Sequence, residues 1–249
     1  MRTSETNASW QFGAFSLLFA CSLILHQMWW GGFEVLSPHF VVVAAALWAA
    51  ARPRSVARFV AMLAAEVGSV ALDMPGVGSH TVLVLVCGTC VLAYVGAVSW
   101  RSRRLPEAGA LFAAIAPFLR AQLLLVYAAA ALAKMNTGFV DADISCAAWM
   151  SAKIAWFDPS LLGSWRVVPA VWGTLLIEVT LPVLLAVRRT RMAAVALGAA
   201  FHLVLALAGN VPFSALALAF YVAFLPADVP RRLGALVTPH RPAASSLRF

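Results

Sequence analysis

Long apolar stretches alternate with short polar or charged breaks along most of the chain. A helix that crosses the hydrocarbon core of a bilayer needs about 20 mostly apolar residues. On that scale the apolar runs give eight candidate spans, at about 12–30, 36–51, 56–72, 80–99, 115–134, 167–187, 192–209 and 212–226. Because backbone polar groups in lipid must bond internally, the pattern predicts an all-α fold, a polytopic transmembrane helical bundle.

The second run is the shortest, but its start is well marked. Ser37 is a typical N-cap residue, and Pro38 is typical of the first helical position. No repeat, low-complexity tract or linker divides the chain. We therefore predict a single transmembrane domain over 1–228, followed by a short basic tail over 229–249.

Composition and charge support a lipid environment. The 249 residues are 63% hydrophobic and 11% charged, with a mean hydropathy of +0.88, whereas about a quarter of the residues in soluble domains are charged. The net charge of +8 does not predict a nucleic-acid partner, because the arginines cluster between apolar runs. These clusters fall at every second boundary: Arg2, Arg52/Arg54/Arg58, Arg101/Arg103/Arg104, Arg188/Arg189/Arg191 and Arg231/Arg232. By the positive-inside rule, we predict a multi-pass cell-membrane protein with both termini cytoplasmic.

The fifth span carries polar residues at a helical repeat. Arg120, Tyr127 and Lys134 recur every seven residues, and Leu124 and Ala131 complete the same stripe. Unpaired cations are costly in lipid, so we expect the stripe to face protein or a wet cavity. The alternative is that Arg120 and Lys134 each extend to the nearer membrane interface.

Two histidines fall at a depth similar to that of Lys134. His80 opens the fourth span at the predicted outer face, and His202 lies a few residues below the turn between the last two spans. Together the three residues suggest a site under the outer leaflet. A lone histidine in a helix is, however, more often a hydrogen-bonded packing residue than a ligand.

Glu66 and Glu178 are the carboxylates deepest within predicted spans. Either can pair with Arg120 or a histidine in a purely structural contact, or be protonated, since lipid raises the pKa of an unpaired carboxyl group. Cys87 and Cys90 form a C-x-x-C motif, but this motif lies within a span rather than at a helix start beside a strand. Small residues at this spacing also favour close helix packing.

The segment 135–166 is too polar and too interrupted to cross a bilayer. It is rich in aromatic residues, with Trp149, Trp156, Phe157 and Trp165. Such residues favour the headgroup level of a membrane. The segment is therefore either a loop anchored by tryptophans or a lid over a cavity.

The fifth span contains, in order, Leu119-Arg120, Gln122, Val126-Tyr127, Ala130 and Lys134. This series resembles a helix of the vitamin K-dependent γ-carboxylase and of related bacterial HTTM (horizontally transferred transmembrane) domain proteins. Other segments are similar to the family and occur in the family's order. Ser79-His80 precedes this span, and Leu176-Ile177-Glu178, Phe201-His202 and the last span, Pro212 to Pro226, follow it. After Lys134 the chain departs from the family, since Phe139 and Ala142 stand where tryptophan and glycine are usual.

The resemblance implies chemistry on a lipid quinol, reduced vitamin K or menaquinol, without a metal. Lys134 would be the base that deprotonates the quinol, and His80 would assist it. The remaining site residues would line or brace the quinol pocket: His202, Arg120, Gln122, Tyr127 and Glu178.

The implied substrate is a peptide, handled together with a maturation partner protein. The stand-alone bacterial members, one of which matures a sporulation-delaying toxin, are similar to this chain in size. Three alternatives remain open: a carrier for a small hydrophobic molecule that uses Glu66, Glu178 and Arg120, a non-catalytic partner in peptide maturation, and a redox protein that uses Cys87 and Cys90.

Overall fold

The computed structural model describes residues 2–30, 38–76, 79–141, 144–154 and 167–229, and within these ranges the chain forms helices and no strands. The α-helices are α1 (Arg2–Trp30), α2 (Pro38–Ala50), α3 (Val56–Asp73), α4 (Ser79–Ser102), α5 (Ala108–Lys134), α6 (Thr137–Val140), α7 (Cys146–Ala152), α8 (Val167–Ala186), α9 (Arg191–Leu207) and α10 (Val211–Tyr221), which a 3-10 turn (Val222–Phe224) extends. The prediction of an all-α fold is confirmed for the described residues.

Among the described residues, four stretches are long and apolar enough to cross a membrane: Ser9–Trp29, Thr81–Ser102, Ala108–Lys134 and Val168–Ala186. The chain therefore has the features of an integral membrane protein in contact with a lipid bilayer. Helices α2, α9 and α10 coincide with predicted spans, but they have only 13, 17 and 11 residues. Helix α3 carries three charged residues within its 18. The count of eight spans and the cytoplasmic location of the termini stay predictions.

Helix α5 begins earlier than its predicted start at about residue 115. It starts at Ala108, directly after Glu107 at the N-cap, and continues through Pro117. Proline is most common in the first turn of a helix, where its missing N–H costs nothing. Here Pro117 lies inside the helix instead. The sequence-based boundary was wrong because the predicted span matches the roughly 20 residues that a bilayer requires, whereas the helix has 27 residues.

Phenylalanine side chains fill the centre of the described bundle. Phe12 and Phe15 of α1 meet Phe59 of α3 with ring centroids 5.3 and 5.8 Å apart. Phe15 also approaches Phe112 of α5 at 5.9 Å and Phe220 of α10 at 6.3 Å. Helix α1 therefore packs against α2, α5 and α10 and forms the middle of the bundle.

Several arginines bond to backbone carbonyls at helix C-termini. Arg58 donates from Nη1 to the Trp48 carbonyl near the end of α2, at 2.9 Å. Arg191 donates from Nε to the Leu185 carbonyl near the end of α8, at 3.1 Å. The last carbonyls of a helix lack partners within the helix, and a cation there is also favoured by the helix dipole. These arginines thus cap helices, whatever their part in setting topology.

The predicted turn between the last two spans is present. Gly209 has a φ of +98° and ends α9, and α10 begins at Val211. A positive φ is readily adopted by glycine because it has no Cβ. This turn brings α9 and α10 together as antiparallel neighbours.

Candidate functional site

A cavity of about 1180 Å³ lies beside the second half of α5. Its walls come from α4, α5, α8 and α9, and residues of α6 and α7 complete the lining. On α5 the lining runs from Gln122 to Lys134, which is about 18 Å along the axis at 1.5 Å per residue. The cavity is larger than most pockets for drug-sized ligands, which measure about 300–1,000 Å³.

Small side chains leave this space open. The wall contains Ala129, Ala130 and Ala133 of α5, Ala170 and Gly173 of α8, and Ala200 of α9. Valine, leucine and isoleucine supply much of the remaining surface. The cavity is therefore suited to a large and mainly apolar molecule.

An ion pair forms the most polar feature of the wall. Nζ of Lys134, the last residue of α5, donates to both carboxylate oxygens of Glu178 on α8, at 2.8 and 2.7 Å. The Glu178 side chain is 7% exposed and the Lys134 side chain 25%. The ring of Phe139 lies 5.8 Å from the amine.

The Lys134–Glu178 pair differs from the contacts expected for both residues. Glu178 had been expected to pair with Arg120 or a histidine, and it pairs with Lys134 instead. Extension of Lys134 to the membrane interface alone does not account for a bidentate contact with a buried carboxylate. Removing one partner of a buried pair leaves an uncompensated charge, which typically costs about 3–5 kcal/mol. The contact consequently ties α5 to α8 at the cavity wall.

A second polar group lies two helical turns along α5 from Lys134. The hydroxyl of Tyr127 shares hydrogen bonds with Nε2 of His202 on α9 and with the hydroxyl of Tyr221 at the end of α10, each at 2.5 Å. His202 is fully buried, and its Nδ1 has no partner among the described residues. The network joins three helices behind the cavity wall.

Close packing holds this network in place. The His202 ring makes edge contacts with Phe201 and Phe213, at centroid distances of 5.5 and 5.4 Å, and both of these rings line the cavity. A Cβ added at Gly198 would overlap the hydroxyl of Tyr221. Glycine at this position therefore leaves the space that the tyrosine hydroxyl occupies.

The stripe predicted on α5 faces the protein, as expected. Tyr127 and Ala131 are buried, and Arg120, Leu124 and Lys134 are partly buried. Its members serve different purposes, however. Arg120 does not line the cavity and donates from Nε to the Ala223 carbonyl at 2.6 Å, so it caps the turn after α10.

The other predicted site residues are less closely connected. Gln122 lines the cavity at the end opposite Lys134. His202 contacts Tyr127 rather than Lys134. His80 belongs to α4, but its side chain lies outside the described residues, as do Trp156, Phe157 and Trp165.

Comparisons of the chain with protein-family models, with curated proteins and with solved structures found no match.

The segment after α5 contributes directly to the cavity. Phe139 of α6, Met150 and Ser151 of α7, and Ile154 all line it. Of the two interpretations of segment 135–166, the described part agrees with the lid. Sequence reasoning did not single out Phe139, Ser151 or Tyr221 as site residues. Of these, Tyr221 had a recognisable signal, a phenolic hydroxyl within a predominantly apolar span.

The C-x-x-C motif lies away from these groups. Cys87 is buried, Cys90 is exposed, and both are free. Between them, a Cβ at Gly88 would come within 2.6 Å of a methyl group of Val67 on α3. This close approach supports the packing interpretation of the motif.

Proposed function

We propose that this membrane protein is an HTTM-type, vitamin K-dependent carboxylase-like enzyme or peptide maturation factor whose cavity binds a lipid quinol. One observation carries the proposal: a buried ammonium–carboxylate pair lies in the wall of a large apolar cavity. A polar ligand group would meet Lys134 and Glu178, and an apolar chain would extend along α5 toward Gln122. Reduced vitamin K or menaquinol has this division into a polar ring and a long apolar chain.

The residues present suit such a ligand. Pockets for small molecules are mainly apolar, with a few polar groups that fix orientation. Here the alanine-rich wall would take the isoprenoid chain, and the ion pair would hold a quinol hydroxyl. The bound quinol would supply the proton and the reducing equivalents for reaction with oxygen.

Lys134 and Glu178 would act as one unit in this scheme. A lysine that accepts a proton must first be a neutral amine. Transfer of a proton from Nζ to the carboxylate that it already contacts at 2.7–2.8 Å would give that form. The neutral amine would then take the proton of the quinol hydroxyl, while Glu178 holds the proton it received.

Tyr127 and His202 would position the base rather than touch the ligand. Their hydrogen bond joins α5 to α9, about 10 Å along α5 from Lys134. Phe201 and Phe213, which pack on His202, form part of the cavity wall. The lid residues of α6 and α7 lie on the side from which we propose that a peptide substrate and its maturation partner approach.

The first test is quinol binding by the purified protein in nanodiscs. Lipid extracts of the protein are examined for quinones by mass spectrometry, and menaquinol is then titrated under anaerobic conditions. We expect Lys134→Ala and Glu178→Leu to weaken binding at least tenfold. Lys153→Ala is the matched control, because Lys153 is the other lysine of the chain and stacks on Trp149 outside the cavity. Equal affinity in all four proteins would remove the ion pair from the proposal.

The second test concerns catalysis. The secreted peptides of a host strain are compared by mass spectrometry between the wild type and strains that carry Lys134→Ala or Lys134→Arg. We expect one peptide product to disappear in both variants, since arginine retains the charge but cannot act as a base at neutral pH. An unchanged set of peptides in both variants would exclude Lys134 from catalysis.

A carrier for a hydrophobic molecule is a second candidate, and the size of the cavity favours it. The three charged residues considered for that function do not share one path, however. Glu178 lines the large cavity, Arg120 bonds to the Ala223 carbonyl, and Glu66 lies elsewhere in the bundle. Protein-dependent flux of a hydrophobic dye across liposomes, unchanged in Lys134→Ala, would favour the carrier over the enzyme.

A further inference from the structure

A buried carboxylate on α3 has no place in the proposed quinol site. Glu66 is 1% exposed, and the amide of Gln27 on α1 hydrogen-bonds to its carboxylate. Its second oxygen, Oε2, has no hydrogen-bond partner in the described part of the chain. Buried carboxylate oxygens normally have a partner, so this one requires an explanation.

Glu66 faces a very small chamber. Its volume is about 10 Å³, and Ser22, His26 and Thr81 supply the other polar lining, with Leu23, Val84, Pro212 and Leu216 around them. A volume of about 10–15 Å³ accommodates a single water-sized guest. The chamber is thus closed to organic ligands and open to one small species.

Glu66 is the carboxyl group that lines the chamber. Asp73, at the end of the same helix, lies outside the chamber and is 3.9 Å from His39 of α2. His26 of α1 is the titratable group on the opposite wall. Among the described residues, no lysine or arginine forms an ion pair with Glu66. A positive guest would therefore be favoured over a neutral one in this low-dielectric environment.

The hydroxyl group of Ser22 is also oriented for a cation. Ser22 donates its hydroxyl proton to the Phe19 carbonyl at 2.7 Å, which leaves the oxygen lone pairs for a guest. Thr81, which carries another hydroxyl group, lines the same chamber. Carboxylate and hydroxyl oxygens are hard ligands, suited to hard cations rather than to soft metals.

We propose that this chamber binds one alkali-metal cation, held by Glu66 Oε2 and the hydroxyl oxygens of Ser22 and Thr81. The cation links α1, α3 and α4, and its site is separate from the Lys134–Glu178 cavity. The proposal does not depend on quinol binding, and either can fail without the other.

The test is the unfolding temperature of the purified protein in detergent, measured in NaCl, KCl and choline chloride at equal ionic strength. A ligand that binds only the folded state raises the free energy of unfolding. The increase grows with the ligand concentration and is larger for a ligand of higher affinity. We expect a saturable increase in the unfolding temperature with Na⁺ or K⁺ and no increase with choline, which is too large for the chamber. Equal unfolding temperatures in all three salts would overturn the proposal and leave a water molecule as the guest.

Variants locate the effect. Glu66→Gln is expected to abolish the difference between the alkali and choline salts, and the milder changes Ser22→Ala and Thr81→Val to reduce it at least threefold. These two variants keep the test decisive if Glu66→Gln does not fold. Asp73→Asn is the matched control, because Asp73 lies outside the chamber, and it should keep the response. A response that persists in all three chamber variants would place the cation elsewhere and contradict the assignment.

Discussion

The two halves of α5 differ in what they pack against. From Leu111 to Leu123 the helix is embedded among phenylalanines of α1, α3 and α10, and the buried residues of this half belong to the main core. From about Gln122 onward the same helix forms one wall of the large cavity. Both halves are apolar, so hydrophobicity alone does not distinguish them. Side-chain volume does, because phenylalanine fills the first region and alanine leaves the second open.

In lipid this difference has energetic consequences. Helix association there depends on close packing and hydrogen bonds, because the surrounding chains are as apolar as the helix surfaces. The phenylalanine half is stabilised by packing. The cavity half has less packing and instead has two polar connections, Lys134–Glu178 and Tyr127–His202–Tyr221, that hold its walls together. We therefore predict that substitutions around the first half lower the free energy of unfolding mainly through lost side-chain volume, and those around the second half through lost polar partners.

The largest loss of stability is expected from removing a ring in the filled half. Phe59→Ala should lower the free energy of unfolding by about 4 kcal/mol, because the ring is buried between Phe12 and Phe15 and its loss leaves a void. Unfolding by SDS titration in mixed micelles measures this. The control is Phe40→Ala on α2, a ring that is 46% exposed, with an expected loss below about 1 kcal/mol. Similar losses in the two variants would show that the buried Phe59 ring contributes no more to stability than an exposed ring.

The next largest effect is expected at the ion pair. Lys134→Met should lower the free energy of unfolding by about 3 kcal/mol, because it leaves the Glu178 carboxylate buried without its cation. The double variant Lys134→Met/Glu178→Leu should recover most of that loss, since no charge then remains unpaired. The same SDS titration gives both values. A double variant as unstable as the single one would mean that the pair stabilises by packing alone.

The tyrosine network gives a smaller and more specific effect. Gly198→Ala should cost about 2 kcal/mol, because the added methyl group overlaps the Tyr221 hydroxyl and displaces it from Tyr127. Adding Tyr221→Phe removes the clashing oxygen and should restore part of the stability. If the second change instead lowers stability by its full separate amount, the two residues are not in contact.

Much of the helical framework could be predicted from the sequence because it depends on local features. Every predicted span coincides with a helix, and the turn at Gly209 marks the end of α9 as its residue type suggests. The predicted start of α5 was wrong because a bilayer requires only about 20 residues, whereas this helix has 27.

The candidate site was only partly predictable, for a physical reason. The seven-residue repeat of Arg120, Tyr127 and Lys134 correctly indicated a stripe that faces protein, because helical periodicity is a local property. Their partners are distant in sequence. Glu178 is 44 residues from Lys134, and His202 is 75 residues from Tyr127. No spacing rule pairs such residues, since the arrangement depends on how α5, α8 and α9 pack.

The smallest effect on stability is expected in the cavity half of α5. Here a larger side chain fills the cavity, whereas the substitution in the filled half creates a void. Ala130→Phe should change the free energy of unfolding by less than about 0.5 kcal/mol, because the new ring enters the cavity instead of a packed core. The same variant should abolish binding of a long-chain quinol, since the ring blocks the wall between Gln122 and Lys134. Ala128→Phe is the matched control: Ala128 is exposed on the same helix and does not line the cavity, so quinol binding should be retained. A large loss of stability in Ala130→Phe would mean that this half of α5 is as tightly packed as the first. The two halves would then not differ in how they are stabilised.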